Sequence, residues 1–231
     1  DTILNLPLNP LLKETEDNDD LIFQLQKMFF YLSFSDKEYY NPKDFVFSFK
    51  DYDGNPTNIN VQCDAQEFLS RLIEKIEGGL ENTSDKYLCG NILGGSTLQQ
   101  VICSNPDCNN ISERRENINY LSLDIKECRN INECLDKYII EEKIEDYHCE
   151  KCDKKITNIK KVLIDKLPNL LIIHLQRISF SYETFTMQKI NTLVEFEKEL
   201  NIKKYTTQYD DINIDKTYFD YILTGILIHS G

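Results

Sequence analysis

Residues 103–108 read CSNPDC, and residues 146–155 read DYHCEKCDKK. Together they hold Cys103, Cys108, Cys149 and Cys152, spaced C-x4-C and C-x2-C. Two thiolates on one tight turn supply half of a tetrahedral metal site, and a second such pair closes it. Pro106 helps to curl the first turn. Four thiolates leave no open coordination position, so the expected ion is a structural zinc rather than a catalytic one. Cys128 and Cys134 lie between the pairs and offer alternative ligands, as does His148 beside Cys149. In the opposing reading the four are unrelated buried thiols.

Outward from these turns the pattern is β-rich. LQQVIC alternates into the first pair, and ITNIKKVLI (156–164) alternates out of the second. Between them, Ile118, Tyr120, Leu121, Leu123 and Ile125 read as one strand with a register irregularity, and INECLDKYII (131–140) as a short helix. LPNLLIIHLQRISF is nearly continuous in apolar residues, the pattern of a strand buried on both faces. SYETFTMQKI reads as a loop, followed by short strands at 190–196 and about 218–228. Before residue 91 the periodicity is helical. Asp19 and Asp20 offer an N-cap to a helix over 19–33, with Leu21, Leu25, Met28, Phe29 and Leu32 as its stripe. A second helix starts at Asp64, where Asp64 and Glu67 make a capping-box-like pair. Phe68, Leu69, Leu72, Ile73 and Ile76 form its stripe, and Gly78-Gly79 stops it. The fold class is α+β.

Composition narrows the function. The chain has 231 residues, 41% hydrophobic and 28% charged, with a net charge of -13. That charge disfavours duplex nucleic acid and anionic membranes and suits a partner with a basic face. No apolar run is long enough for a membrane span, and the N-terminus lacks the pattern of a signal peptide. Eight cysteines in such a chain favour metal or free thiols over a disulfide framework, in an intracellular setting, cytoplasmic or nuclear. Both ends read as boundaries inside a longer protein.

Four further residues invite a chemical reading. Cys63 precedes the helix capped by Asp64, a position where a thiol can become a nucleophile, with His229 as its candidate base. The adjacent Asp64 carboxylate opposes thiolate formation, which favours a structural Cys63. His174 and Arg177 interrupt the apolar run; a satisfied core histidine and an arginine holding loop carbonyls or carboxylates are the simpler roles.

These pieces, in this order, resemble the ubiquitin-specific protease family of cysteine deubiquitinases. QCDAQEFLSRLIEKIE (62–77) is similar to that family's QQDAxEF box, LPNLLIIHLQRI (167–178) to its LPxxLxxxLxRF box, and MQKINTLVEFEKELNI (187–202) to the segment that follows. YILTGILIHSG (221–231) resembles the opening of its histidine box, and the cysteine pairs its zinc-binding turns. The likeness is strongest to the large members with a YHCEKC turn. It implies a papain-like right-hand fold: a helical thumb remainder over 1–90, zinc-tipped β fingers over 91–165, and a β palm over 166–231, together one partial catalytic domain. It also implies a monomer that binds ubiquitin or ubiquitin conjugates, and thiolate attack on the carbonyl of ubiquitin's C-terminal glycine.

By the same resemblance Gln62, Asp64 and Glu67 match the box that faces ubiquitin's basic tail, and Cys103, Cys108, Cys149 and Cys152 the zinc ligands. The family nucleophile belongs to a box upstream of QQDAxEF, yet residues 1–61 hold no cysteine. The base belongs to a GHY element beyond His229, and the orienting Asp or Asn beyond that. No catalytic residue is therefore expected within these 231 residues, and the chain alone is expected to be inactive. Cys63 for the second Gln, Ile178 for Phe, and Glu197 for Pro are departures from the pattern. Two alternatives stand beside this reading: a ubiquitin-binding pseudo-enzyme, and a nucleic-acid-binding zinc ribbon, which the acidity disfavours.

Overall fold

A computed structural model describes residues 20–58, 64–181 and 184–228. The chain divides into two compact units between Cys89 and Gly90. The first contains α1 (Leu21–Phe34), α2 (Lys43–Ser48) and α3 (Ala65–Leu80). Asp20 caps α1 by accepting from the Phe23 N–H at 3.1 Å. Leu25, Phe45 and Phe49 form the core of this unit, with Met28, Phe29, Leu72 and Ile76 packed on it. An ion pair of 3.0 Å between Lys27 and Asp44 ties α1 to α2.

Four expectations in this unit need correction. Leu32 is exposed rather than part of the buried stripe of α1, and Phe68 lies out against Phe49 with 41% exposure. The Gly78-Gly79 pair does not stop α3, which runs on to Leu80. Gly79 instead permits close packing on α1: a Cβ there would lie 2.8 Å from Ile22 Cγ1. The capping box is half made. Asp64 Oδ1 accepts from the Gln66 N–H at 2.7 Å, whereas Glu67 pairs with Arg71 one turn on.

After α4 (Leu88–Ile92) the second unit is dominated by β1 (Gly95–Ile102), β2 (Ile111–Ile118), β3 (Leu121–Asp124), α5 (Ile131–Tyr138), β4 (Glu142–Cys149) and β5 (Lys154–Lys166). Strands β2-β1-β5-β4 make an antiparallel four-stranded sheet in that order. Two local hairpins, β1–β2 and β4–β5, are joined through the β1–β5 pairing. The remaining strands form small pairs: β6 (Ile173–Gln176) runs parallel to β3, β7 (Ile178–Ser181) pairs with β8 (Thr186–Lys189), and β9 (Glu199–Asn201) with β10 (Asp220–Ile222).

Strand β5 is thirteen residues long and links the sheet to the core. Its first half pairs with β4; its second half carries Ile164 into a cluster with Leu121, Leu123, Ile125, Leu135, Ile202 and Phe219. Where the halves meet the core, Thr97 faces Ile164 and Ser96 faces Lys166, leaving Asp165 as the extra residue of a bulge. Its carboxylate accepts from Arg115 Nε at 3.0 Å, Ser96 Oγ at 3.4 Å and Thr207 Oγ1 at 3.2 Å.

The β-rich reading needs five corrections. Residues 118–125 are two strands, since β2 joins the large sheet while β3 turns into the core beside β6. The LPNLLIIHLQRISF run is not a strand buried on both faces: only β6 and β7 are extended, and Leu170 is exposed. Within SYETFTMQKI, Thr186–Lys189 form β8 paired with β7 rather than a loop, and residues 190–196 are irregular apart from a bridge between Glu195 and Asn130. The final pair is confined to Glu199–Asn201 and Asp220–Ile222.

Candidate metal centre

The two cysteine pairs sit at the tips of the two hairpins, and antiparallel pairing of β1 with β5 brings those tips to the same end of the sheet. Backbone bonds close each turn. The Cys103 N–H donates to the Asn110 carbonyl (2.9 Å), Cys108 N–H to Asn105 (3.0 Å), and Asp153 N–H to Cys149 (2.9 Å). Asn109 follows the second cysteine of one turn with φ 48°, and Asp153 follows that of the other with φ 51°. Asn and Asp are the side chains that adopt this left-handed conformation most readily, so both turns are completed by residue types suited to them.

The four sulfurs all lie within 4.8 Å of one another. Cys103 and Cys152 are 3.8 Å apart, and Cys108 and Cys149 are 3.7 Å apart. Thiolates about 2.3 Å from a tetrahedral zinc stand about 3.8 Å from each other, so the donor set fits such an ion in both chemistry and size. Cys103, Cys108 and Cys149 are buried and Cys152 is partly so, with Ile156 packed against them.

The electrostatics are asymmetric. The N–H of Cys152 is the main group holding the Cys149 thiol down to about 6, working against burial and helped by the Lys151 N–H and neighbouring thiols. Burial pushes Cys108 up to about 12, against the Asn110 N–H and with the neighbouring thiols adding to the effect. Cys149 is thus favoured as a thiolate, and a central cation bound by the four sulfurs would supply the charge that lets them ionise together.

The alternative ligands are elsewhere. Cys128 and Cys134 are buried in the core cluster with Leu121 and Leu135, and burial raises Cys134 to about 12. His148 Nε2 is 2.8 Å from Asp153 Oδ1 and exposed. His174 is satisfied by Ser122 Oγ through Nδ1 at 3.0 Å. Arg177 donates to the carbonyls of Ile190 and Thr192 at 3.2 and 2.9 Å, the loop-holding role.

Of the expected ubiquitin-facing residues, Asp64 and Glu67 lie exposed at the start of α3, while Gln62 falls outside the described residues. Asp64 is engaged in capping and Glu67 with Arg71, whose guanidinium also lies over the Tyr52 ring. Cys63 and His229 likewise fall outside the described residues. Sequence reasoning missed Asn158, which is fully buried beside the four-cysteine cluster. Its signal was an amide-bearing residue within the alternating run ITNIKKVLI.

The family model for ubiquitin carboxyl-terminal hydrolases matches residues 4–231. The chain belongs to that family. Among its relatives, ubiquitin carboxyl-terminal hydrolase 9Y of Homo sapiens is 32% identical over 249 residues, covering 96% of this chain and 10% of its own length. Ubiquitin carboxyl-terminal hydrolase 24 of Mus musculus is 32% identical over 197 residues, covering 84% of this chain and 7% of its own length. This hydrolase-family chain therefore spans a tenth or less of those relatives. It is also similar to a chain in the SAGA DUB module of Ubp8, Sgf11, Sus1 and Sgf73 bound to monoubiquitin, with TM-score 0.69 and 25% identity over 82% of this chain and 45% of that one. The module bound to ubiquitin aldehyde gives TM-score 0.70 at 24% identity, over 87% of this chain and 46% of that one, and supports the α+β fold.

Proposed function

We propose that this chain is part of the catalytic domain of a cysteine peptidase that removes ubiquitin from conjugates inside the cell. The observation that carries the reading is the family match across residues 4–231. In this reading α1–α3 belong to the thumb remainder over 1–90, the four-stranded sheet to the fingers over 91–165, and Phe219 with β6–β10 to the palm over 166–231. The acidic chain, at net charge -13, suits the basic tail of ubiquitin, which Gln62, Asp64 and Glu67 would face. The reaction is thiolate attack on the carbonyl of ubiquitin's C-terminal glycine, which breaks the isopeptide C–N bond, releases the conjugate's amine after it takes up a proton, and leaves a thioester that water hydrolyses to the ubiquitin carboxylate and the free thiol. Zinc on Cys103, Cys108, Cys149 and Cys152 would be structural, because four thiolates leave no position for a reactant.

The finer part of the proposal concerns these 231 residues by themselves: they bind ubiquitin without cleaving it. Seven of the eight cysteines are free thiols that are buried or belong to the four-sulfur cluster, which leaves Cys63 as the remaining candidate nucleophile. Asp64 beside it opposes thiolate formation. The test pairs ubiquitin titration with turnover of ubiquitin–amidomethylcoumarin by the 231-residue chain. Binding without turnover is expected. Turnover abolished by Cys63→Ala would assign the chemistry to Cys63 instead, and failure to bind ubiquitin would remove the recognition role.

A further inference from the structure

Asn158 is a fully buried polar residue in the middle of β5, in the part of the sheet nearest the metal centre. A buried amide is costly unless both its ends are used. Here its Oδ1 accepts from the backbone N–H of Ser104 at 3.0 Å, and its Nδ2 donates to the backbone carbonyl of Tyr147 at 3.5 Å. Ser104 follows Cys103 in the first turn, and Tyr147 lies two residues before Cys149 in the second hairpin. One side chain therefore grips the backbone next to a metal ligand in each hairpin. A second bond crosses the other way: Asn110 Nδ2, in the first hairpin, donates to the Cys149 Sγ at 3.7 Å.

The backbone alone leaves this junction weak. The β1–β5 ladder ends at the pair Ile102 and Ile159, so neither turn is tied to the other by strand pairing beyond it. On the far side of β5, the β4 ladder is interrupted opposite Thr157, where Glu145 and Asp146 stand as a bulge and Asp146 has φ 53°. Asn158 sits between these two breaks, facing Ile144 across the last regular pair before the bulge. The tips of the hairpins would be free to part there without a side-chain link.

We propose that Asn158, seconded by Asn110, is the positioning residue that holds the two cysteine turns at metal-binding distance before any metal arrives. It touches no metal itself; it acts through Ser104 and Tyr147 on the ligands beside them. Groups that orient ligands from outside the coordination sphere are worth about 10-fold to 100-fold in metal affinity. The inference rests on the metal reading above, and the test separates the two.

The full 231-residue chain, stripped with a chelator, is titrated with cobalt(II) and then with zinc in competition with a chromophoric chelator. Wild type is expected to show the d–d bands of a tetrahedral tetrathiolate ion. Asn158→Ala is expected to weaken zinc binding about 10-fold to 100-fold. Asn110→Ala is expected to weaken it in the same direction, and it keeps the test decisive if the buried substitution prevents folding. Gln100→Ala, which removes a surface bond to Glu113 in the same sheet, is expected to leave affinity unchanged. The Ser104 amide of the metal-free chain should exchange slowly in wild type and rapidly in Asn158→Ala, a change that loss of metal alone would not produce. Wild-type binding with unchanged affinity in both asparagine variants overturns the inference and spares the metal reading. Absence of a tetrahedral cobalt spectrum in wild type overturns both.

Discussion

Gly78 and Gly79 are neighbours in α3, but a methyl group would meet different surroundings at each. At Gly78 nothing lies within 4 Å of a built Cβ; at Gly79 that atom would press on Ile22. Alanine at position 78 should stabilise the chain by about 0.5–1 kcal/mol, the helical advantage over glycine. At position 79 the same gain is set against an overpacking cost of about 1–3 kcal/mol, because Ile22 is β-branched and stiff. Urea unfolding should therefore rank Gly78→Ala above wild type and Gly79→Ala at or below it. Asp124 gives a pH-dependent case. Burial opposes its ionisation, but the Lys137 ammonium and the Lys126 N–H outweigh burial and hold the carboxyl below its ordinary value. A depressed carboxylate contributes stability above its unfolded value, near 3.9, and loses it as pH falls through the folded one. Asp124→Asn should thus lower stability at neutral pH and flatten the acid limb below about pH 4, read by melts across pH. Both partners are more than a third exposed, so the effect should stay under about 1 kcal/mol.

At the scale of elements, the cysteine turns and helix starts were legible because each depends on a few adjacent residues. Cysteine spacing fixes a turn, and Asp20 and Asp64 mark N-caps that the fold uses. The strands were less legible because a partner decides them. LPNLLIIHLQRISF has the composition of a deep central strand, but β6 finds one parallel neighbour, β3, and extends only as far as that pairing. The β7–β8 ribbon has Phe180 opposite Met187, an apolar pair masked in the sequence by the polar residues alternating with it. Glycine was misread for a related reason: in α3 it serves a neighbouring helix, which local sequence does not display. The hairpins also give a stability test. Cys149→Ser should abolish tight uptake of one metal per chain, lower the melting temperature and weaken ubiquitin binding together, with no direct effect on bond cleavage. Metal analysis, thermal melting and ubiquitin titration read the three. An unchanged melting temperature and metal content would mean the four-sulfur cluster is not a metal site.

At the scale of the molecule, the two units are built on different logic. Among the described residues the first is α1–α3 around a small apolar cluster; periodicity shows α1 and α3, but not α2, which brings Phe45 to that cluster with Phe49 just after it. The second depends on contacts far apart in sequence. Its core draws Leu121 and Leu135 from between the cysteine pairs and Ile202 and Phe219 from near the end of the chain. Such a core has no local signature, which is why β3 and α5, lying in sequence between the metal turns, gave no sign of joining it. The same remoteness limits what can be read of chemistry. The proposed recognition box and the cysteine turns are contiguous in sequence, whereas a nucleophile and its base meet only through the fold. Turnover of ubiquitin–amidomethylcoumarin by these 231 residues is accordingly expected to be absent, even with ubiquitin bound.

The bulge at Asp165 has a mechanical consequence. From there to Lys154, β5 is a lever of about 36 Å, at about 3.3 Å per residue. A tilt of about 5° at its base would carry the metal end sideways by about 3 Å, comparable to the length of a hydrogen bond. Three bonds clamp that base, from Arg115, Ser96 and Thr207. The reach of the sheet toward anything it grips is thus set at its root, and small angular play there is amplified along the strand.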